Sequence, residues 1–390
     1  MITVADALAH LFSLTTKMPV EEIPLRAAHG RIMAQDVTSQ RTQPPFAASS
    51  MDGYALRRAE VEPDAMFKVV GEAAAGHRYT GTLRAGQAVR IFTGAPVPEG
   101  ADFVVIQEDV TRRGDLITLG HKIDGKDNIR PAGGDFTQGQ PLSAPRILRP
   151  ADIALLASMN IAHVPVYRKP VVAIMATGDE LVQPGETPNE DQIIASNTYG
   201  LAAMLEQLGA TPRLMPIARD DEASLRRSFE LARGADLIIT IGGASVGDHD
   251  LVAPVAAQMG MQQSFYKVAM RPGKPLMAGR LEGAAMIGLP GNPVSAMVCG
   301  CVFVVPMIRA MLGLGQHAAP EYLLPLAVDM PVNGPREHYM RARVSAGKVT
   351  PETRQDSALL SVLATADVLL VRPPHDSAQT AGAMVRVINL

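Results

Sequence analysis

The chain has 390 residues, 47% of them hydrophobic and 19% charged, with a formal net charge of −3 at pH 7. That length exceeds what one hydrophobic core organises, so two to four domains are expected. The slight acidity offers no basic excess for nucleic acid or an anionic membrane surface, and neither is an expected partner. Asp6 and His10 interrupt the apolar pattern of the amino terminus and no basic leader precedes them, so no signal peptide is expected. The longest apolar run, around residues 301–308, is expected to be too short to cross a bilayer. The nine histidines form neither H-x-x-x-H nor H-E-x-x-H, which argues against a histidine zinc site. Cys299 and Cys301 fall on different sides of helical sequence and read as core, in keeping with a reducing cytoplasm.

In chain order, Thr3 to Asp6 has the form of a capping box opening a helix, with Val4, Ala7, Leu8 and Leu11 as its apolar stripe. Residues 25–37 mix charged and apolar positions without a period and stay unassigned. From Arg41 to about Gly139, Gly, Pro and short β-prone runs dominate. Residues 69–70, 88–92 and 103–106 are expected strands, and 115–118 crosses a hairpin. This is a small all-β unit of the kind found as an insertion. Helical sequence resumes at Pro150, with Ile153, Leu155, Leu156 and Met159 apolar.

Residues 171–176 are a buried-strand run ending in Thr177-Gly178-Asp179-Glu180. Ser196-Asn197 is expected to cap a helix carrying Leu201, Met204, Leu205 and Leu208 at i, i+3, i+4 and i+7, stopped by Gly209. Residues 214–217 are the next expected strand and deliver Asp220-Asp221. A helix through Leu225 and Phe229 then leads to a third strand at Leu237. This β-α-β-α-β order predicts a doubly wound sheet, and Asp179, Glu180, Asp220 and Asp250 then follow the carboxyl ends of its strands along one rim. Beyond Gly313, strand-like runs at 323–324, 339–344, 368–371 and 385–387 predict a small β-barrel or sandwich.

Three glycine-rich turns punctuate residues 236–296: IGGASVGDHD after an apolar run, MRPGKP, and GLPGNPVS after another. Apolar runs that end in glycine turns and pass into helices are how a parallel sheet presents its ligand-binding edge. Glycines let backbone N–H groups approach an anion, and a helix start adds its dipole. Any one such turn is most often only a turn; three in one α/β region point to an anion site. Lys267, Arg271 and Lys274 bring cations there, and Asp248 and Asp250 carboxylates. An oxyanion with a divalent cation, as in phosphate-ester chemistry, is the expectation. None of the turns matches G-x-G-x-x-G or a P-loop.

Together with SSMDGYA at 49–55, IFTGAPVPEGAD at 91–102, IRPAGGD at 129–135, ATGDEL at 176–181 and KVAMRPGKP at 267–275, these turns make the chain resemble the MoeA family, the molybdopterin molybdenumtransferases related to the gephyrin E domain. The resemblance implies an α/β plus all-β, multidomain, elongated chain: a small mixed domain (20–43 with 141–169), a β-rich inserted domain (44–140), a doubly wound α/β domain of the molybdopterin-binding type (1–19 with 170–316), and a carboxyl-terminal β-barrel (317–390). It also implies homodimers with shared active sites, and contact with other proteins of molybdenum cofactor synthesis. The implied reaction transfers molybdenum from molybdate to the dithiolene of adenylylated molybdopterin and releases AMP, with Mg²⁺ or another divalent cation.

By motif match, Asp52, Thr93, Asp135, Glu180, Asp220 and Asp250 are the implied catalytic residues, the last three also as metal ligands. Gly242, Gly243, Ser245, Lys267, Arg271, Lys274, Pro290, Pro293 and Ser295 are implied at the substrate and oxyanion, and Arg341 and Ser357 as contacts to the pterin phosphate or AMP. Plainer roles stand beside these: Asp52-Gly53 as a hairpin turn, Thr93 and Asp179 serving their own turns, Asp135 capping a loop, Asp220 as a helix cap, the prolines as stiffeners. Ala244 stands where valine is usual, Arg271 where many relatives have lysine, and 355–360 match loosely. A non-catalytic scaffold paralogue and a tungstate-using paralogue are the competing readings.

Overall fold

The structure, a computed structural model, describes residues 1–123, 125–243 and 251–390. Two compact units divide it: residues 22–165, and residues 1–21 with 166–390.

In the first, Gly53–Leu56 lies inside a six-stranded sheet, between Phe103–Ile106 and Gln87–Ile91, followed by Met66–Ala73, Leu116–Leu119 and Val110–Arg113. Its two faces are both covered. Tyr54 and Leu56 pack with Phe67, Phe103 and Ile117 on one side, and Ala55 packs with Val89, Ile91 and Val104 on the other. That is the period of two expected of a strand. The hairpin at 115–118 is present, with Leu116 opposite Arg113 and Gly114 turning at φ +60. The unassigned stretch 25–37 is a single 3₁₀ turn, Leu25–Ala27, and two-residue strands at Ile32–Met33 and Val37–Thr38, too short to leave a period. A second, four-stranded sheet runs in the order Val20–Pro24, His163–Tyr167, Ile32–Met33, Arg146–Ile147.

The other unit opens with the expected helix, Val4–Leu14, and its capping box: Asp6 N–H donates to Thr3 Oγ1 at 3.1 Å and Thr3 N–H to Asp6 Oδ2 at 3.3 Å. Its six-stranded sheet runs Thr211–Leu214, Val171–Ala176, Leu237–Ile241, Ala284–Leu289, Met277–Leu281, Gln262–Tyr266. The first four are mutually parallel, Met277–Leu281 runs against them, and Gln262–Tyr266, antiparallel to Met277–Leu281, runs with them again. Met175, Ile238 and Met286 pack one face against Leu225, Phe229, Val252 and Val255.

Several expectations are corrected here. The strand expected at 214–217 stops at Leu214. Pro216 has no N–H to give, and only Met215 and Ala218 continue the ladder, donating to Ile174 O and Ala176 O at 2.9 Å each. Ser196 precedes the helix Asn197–Gln207 but makes no side-chain cap, because its backbone is helical (φ −91, ψ −29) and a cap oxygen reaches the first turn from extended backbone. The MRPGKP turn does not follow a strand with a parallel-paired neighbour in the sheet. It follows the edge strand Gln262–Tyr266, which is paired antiparallel with Met277–Leu281, and Met270–Arg271 pairs with Glu337-His338 of the carboxyl-terminal barrel. The apolar run thought too short for a bilayer belongs to a continuous helix, Pro293–Met311, of 19 residues and mean hydropathy 2.0. Length and composition would let it span a membrane, but 78% of its apolar window is buried inside the protein, the mark of a core helix. A π-helical turn, Gly300–Val304, interrupts it just before Pro306, which has no N–H for Val302 O. Cys299 and Cys301 are buried there as unpaired thiols; burial pushes both up, Cys301 to about 12.

The carboxyl-terminal strands close into the expected barrel. Glu321–Pro325 pairs with Met384–Asn389, that with Val368–Arg372, that with Glu337–Ser345, and that with Lys348–Pro351. A bridge from Leu326 to Val349 completes the ring.

Candidate active site

Parallel register brings three turns to one level. Ala176 is opposite Ile241 and Ile241 opposite Leu289, so Thr177, Gly242 and Pro290 leave the sheet side by side. Thr177 N–H donates to Ile241 O at 3.0 Å and Gly242 N–H to Leu289 O at 3.1 Å. A cavity of about 710 Å³ opens over this rim, within the range of small-ligand sites. Glu180, Asp220, Gly242, Gly243, Pro290 and Pro293 all line it, as does Asn197. Ser245 and Asp250 lie outside the described residues, as do Ala244 and Asp248.

Neighbouring acids divide the work. Asp221, not Asp220, caps the helix Glu222–Leu231, accepting Ser224 N–H at 2.8 Å. Asp179, expected to serve its own turn, ties that turn to the neighbouring one: its Oδ1 accepts Asp220 N–H at 3.3 Å and its carbonyl accepts Arg219 Nη1 at 3.0 Å. Glu180 and Asp220 are thereby left on the cavity wall. Gly178, at φ +148, lets the Glu180 carboxylate fold back against it; an added Cβ would sit 2.3 Å from Oε2.

Pro293 opens the helix Pro293–Cys299 at its first position, as expected, but that helix start is partly occupied. Proline offers no N–H, and Val294 N–H already donates to Ser357 O at 2.9 Å. Asn197 Nδ2 donates to Gly291 O at 2.8 Å and so ties the GLPGNP turn to the helix Asn197–Gln207. Ser295 is buried.

The basic residues fall elsewhere. Among the described residues the cavity lining holds no lysine or arginine, and the MRPGKP turn contributes only Pro275. Lys267, at φ +68, stacks its Nζ 5.0 Å over the Tyr266 ring. Arg271 and Lys274 are exposed. Between them Gly273, at φ +103, packs against Cys299, where a Cβ would sit 2.4 Å from Sγ. Arg341, expected at the ligand, is 2% exposed and bound up in its own barrel. Its Nε donates to Gln355 Oε1 at 3.1 Å, Nη1 to Asp356 O at 2.7 Å and Nη2 to Arg354 O at 3.3 Å. It shapes the segment 354–357 and offers its charge to no solvent-facing site. Ser357 meets the α/β part through its carbonyl, as given above.

In the unit 22–165, Asp52 and Thr93 form a pair: Thr93 N–H and Oγ1 both donate to Asp52 Oδ1 at 2.8 Å. These bonds, joined by the charge of Arg90, hold the Asp52 carboxyl below its ordinary range. Gly53 admits no side chain, since a Cβ would stand 1.9 Å from Val105 O. Asp135 is exposed, and its N–H donates to Gln43 O at 3.0 Å.

Three family models match in order: the MoeA N-terminal region (domain I and II) over residues 2–160, the "Probable molybdopterin binding domain" over 173–310, and the MoeA C-terminal region (domain IV) over 324–390. A Haemophilus influenzae protein named molybdopterin molybdenumtransferase is 38% identical, covering 79% of this chain and 76% of that relative. This chain belongs to the MoeA family. A Nostoc molybdopterin molybdenumtransferase is 37% identical over 87% of this chain and 81% of its own. The crystal structure of a molybdopterin biosynthesis MoeA protein from Pyrococcus horikoshii is 27% identical, covers 100% of both chains and has a TM-score of 0.86.

Within this MoeA chain, sequence reasoning passed over Asn197 and Arg90. Asn197 was legible only as half of a helix cap; its bond to Gly291 spans 94 positions. Arg90 was legible only as a polar residue within a strand.

Proposed function

We propose that this MoeA-family chain transfers molybdenum from molybdate to the dithiolene of adenylylated molybdopterin and releases AMP. The observation that carries the reading is the rim cavity, where Glu180 and Asp220 meet the Gly242-Gly243 and GLPGNP turns. Its size suits a bicyclic pterin, its glycines suit close backbone approach to phosphate, and its carboxylates are hard oxygen donors. Glu180 and Asp220 fit a divalent cation such as Mg²⁺, which when bound would neutralise charge at the pyrophosphate. The protein's own groups do the rest: Asn197 holds Gly291 and so orients the turn, Pro290 and Pro293 stiffen it, and Arg271 and Lys274 attract the molybdate dianion from the neighbouring surface. The Asp52–Thr93 pair supports catalysis over a scaffold role, because a carboxylate held by two donors on one oxygen has a set direction.

The active form proposed is a cytoplasmic homodimer in which Asp52 of one chain and Asp220 of the other serve one reaction. The purified protein, given adenylylated molybdopterin, molybdate and Mg²⁺, should release AMP and yield a cofactor that activates an apo-molybdoenzyme. AMP release that ignores molybdate would sink the assignment. For the dimer, inactive Asp52→Ala and Asp220→Ala proteins are mixed after reversible dissociation. Half of the dimers formed at random are mixed and each carries one intact site, so activity should return to roughly a quarter of wild type. No recovery, with subunit exchange shown independently, would refute sharing.

A further inference from the structure

Arg90 belongs to none of the residues assigned so far. It lies on the strand Gln87–Ile91, directly opposite Tyr54 on the strand Gly53–Leu56. Its guanidinium sits between two aromatic rings, 5.0 Å from the Tyr54 centroid and 4.7 Å from that of Phe92. A planar cation between two ring faces is attracted by both and loses its freedom to rotate. Its hydrogen bonds then have fixed directions. Nη1 donates to Gly53 O at 3.3 Å and Nη2 to Gln107 Oε1 at 2.6 Å. Gln107 in turn donates its N–H to Asp52 O at 3.0 Å. The carbonyls of Asp52 and of Gly53 are thus both gripped, one by Gln107 and the other by Arg90, and the two grips are joined to each other. Thr93 follows Phe92 directly, so the chain that carries the aromatic clamp also carries both donors to Asp52 Oδ1.

We propose that Arg90 is a positioning residue for the transfer reaction: clamped between Tyr54 and Phe92, it fixes the Asp52–Gly53 backbone so that the Asp52–Thr93 pair holds one direction, with Oδ2 presented to the substrate. Arg90 itself touches no reacting atom. This rests on the reading of Asp52 as part of the catalytic machinery. A residue that acts only through Asp52 has a distinctive signature, because its loss should matter only while Asp52 is present.

The test is a double-mutant cycle read by steady-state AMP release from adenylylated molybdopterin, with Arg90→Met, Arg90→Lys, Asp52→Asn and the Arg90→Met/Asp52→Asn pair. Methionine keeps length and apolar contact with the two rings, and lysine keeps the charge. Arg90→Met should lower kcat by about tenfold or more with KM within about twofold, since a misdirected group weakens transition-state stabilisation rather than binding. In the Asp52→Asn background the same change should cost less than about twofold, the mark of non-additive partners. Arg90→Lys should recover part of the rate. An equal fold-loss in both backgrounds overturns the proposal, as does a loss confined to KM. Wild-type kcat in Asp52→Asn alone would instead show that the Asp52 reading has failed. Should Arg90→Met not fold, Phe92→Leu opens one side of the clamp with the charge in place. It should show a smaller loss of kcat that also vanishes in Asp52→Asn; persistence of the loss there is equally fatal.

Discussion

Asp179 and Glu180, and again Asp220 and Asp221, are adjacent acids with opposite employments. The first holds the backbone N–H of Asp220 in the neighbouring turn, the last holds the Ser224 N–H of its own helix start, and the middle two line the cavity. If the middle two hold the divalent cation, Glu180→Gln and Asp220→Asn should each raise the Mg²⁺ needed for half-maximal AMP release. Asp221→Asn should leave that requirement alone, because asparagine caps helices as well as aspartate does. An unchanged Mg²⁺ requirement in both wall variants would remove them from the metal. His338 supports a prediction about pH. Burial, then the charges of Arg271, Arg341, Arg372 and Arg336, lowers it from an ordinary 6.5 to about 4. The unfolded chain therefore takes up this proton near 6.5 and the folded chain only near 4. Stability from this group is fully present above pH 6.5 and falls as pH is lowered toward 4. Urea midpoints at pH 7 and pH 5 should differ less in His338→Gln than in wild type; an equal difference in both would refute the assignment.

At the scale of elements, local pattern was a good guide wherever the stabilising interactions are local. The capping box at Thr3 and Asp6, the hairpin at 115–118 and the helix through Leu225 and Phe229 are all written within a few residues of one another. The rim was legible for the same reason, since strand, turn and helix follow in order. What local pattern could not show was pairing across the chain. Nothing near residue 270 announces that Met270–Arg271 joins the barrel. Nothing near Arg341 shows that its guanidinium is used up on residues 354–356. A basic residue in a matching motif looks the same whether it faces a ligand or the backbone. Replacing Arg341 by Met removes the side-chain bonds to all three acceptors, although Gln355 Oε1 keeps the Arg341 N–H and Asp356 O the Leu359 N–H, and should cost roughly 1–3 kcal/mol, because a buried polar group that loses its partner carries the desolvation penalty. Because Ser357 O holds Val294 N–H, amide hydrogen exchange at Val294 should also quicken. An unchanged exchange rate would mean that the segment 354–357 holds its place without the arginine.

The whole molecule consists of two units with separate cores, and the way the chain passes between them has a practical side. The strands Val20–Pro24 and His163–Tyr167, at which the chain departs for the unit 22–165 and returns from it, are neighbours in one sheet. A segment whose two ends lie side by side needs no long connection to its host. A piece spanning residues 20–167 should therefore fold by itself, with a single cooperative thermal transition by circular dichroism and the native tight packing around Tyr54 and Phe103; a gradual, featureless melt would count against this. By the same geometry a short glycine turn should bridge the gap it leaves, so the host unit would be recovered without it. In hereditary terms the segment is a cassette. Two nearby cuts and one ligation would insert, delete or exchange it, and a gene could acquire such a unit in one recombination event without disturbing the sheet that builds the rim.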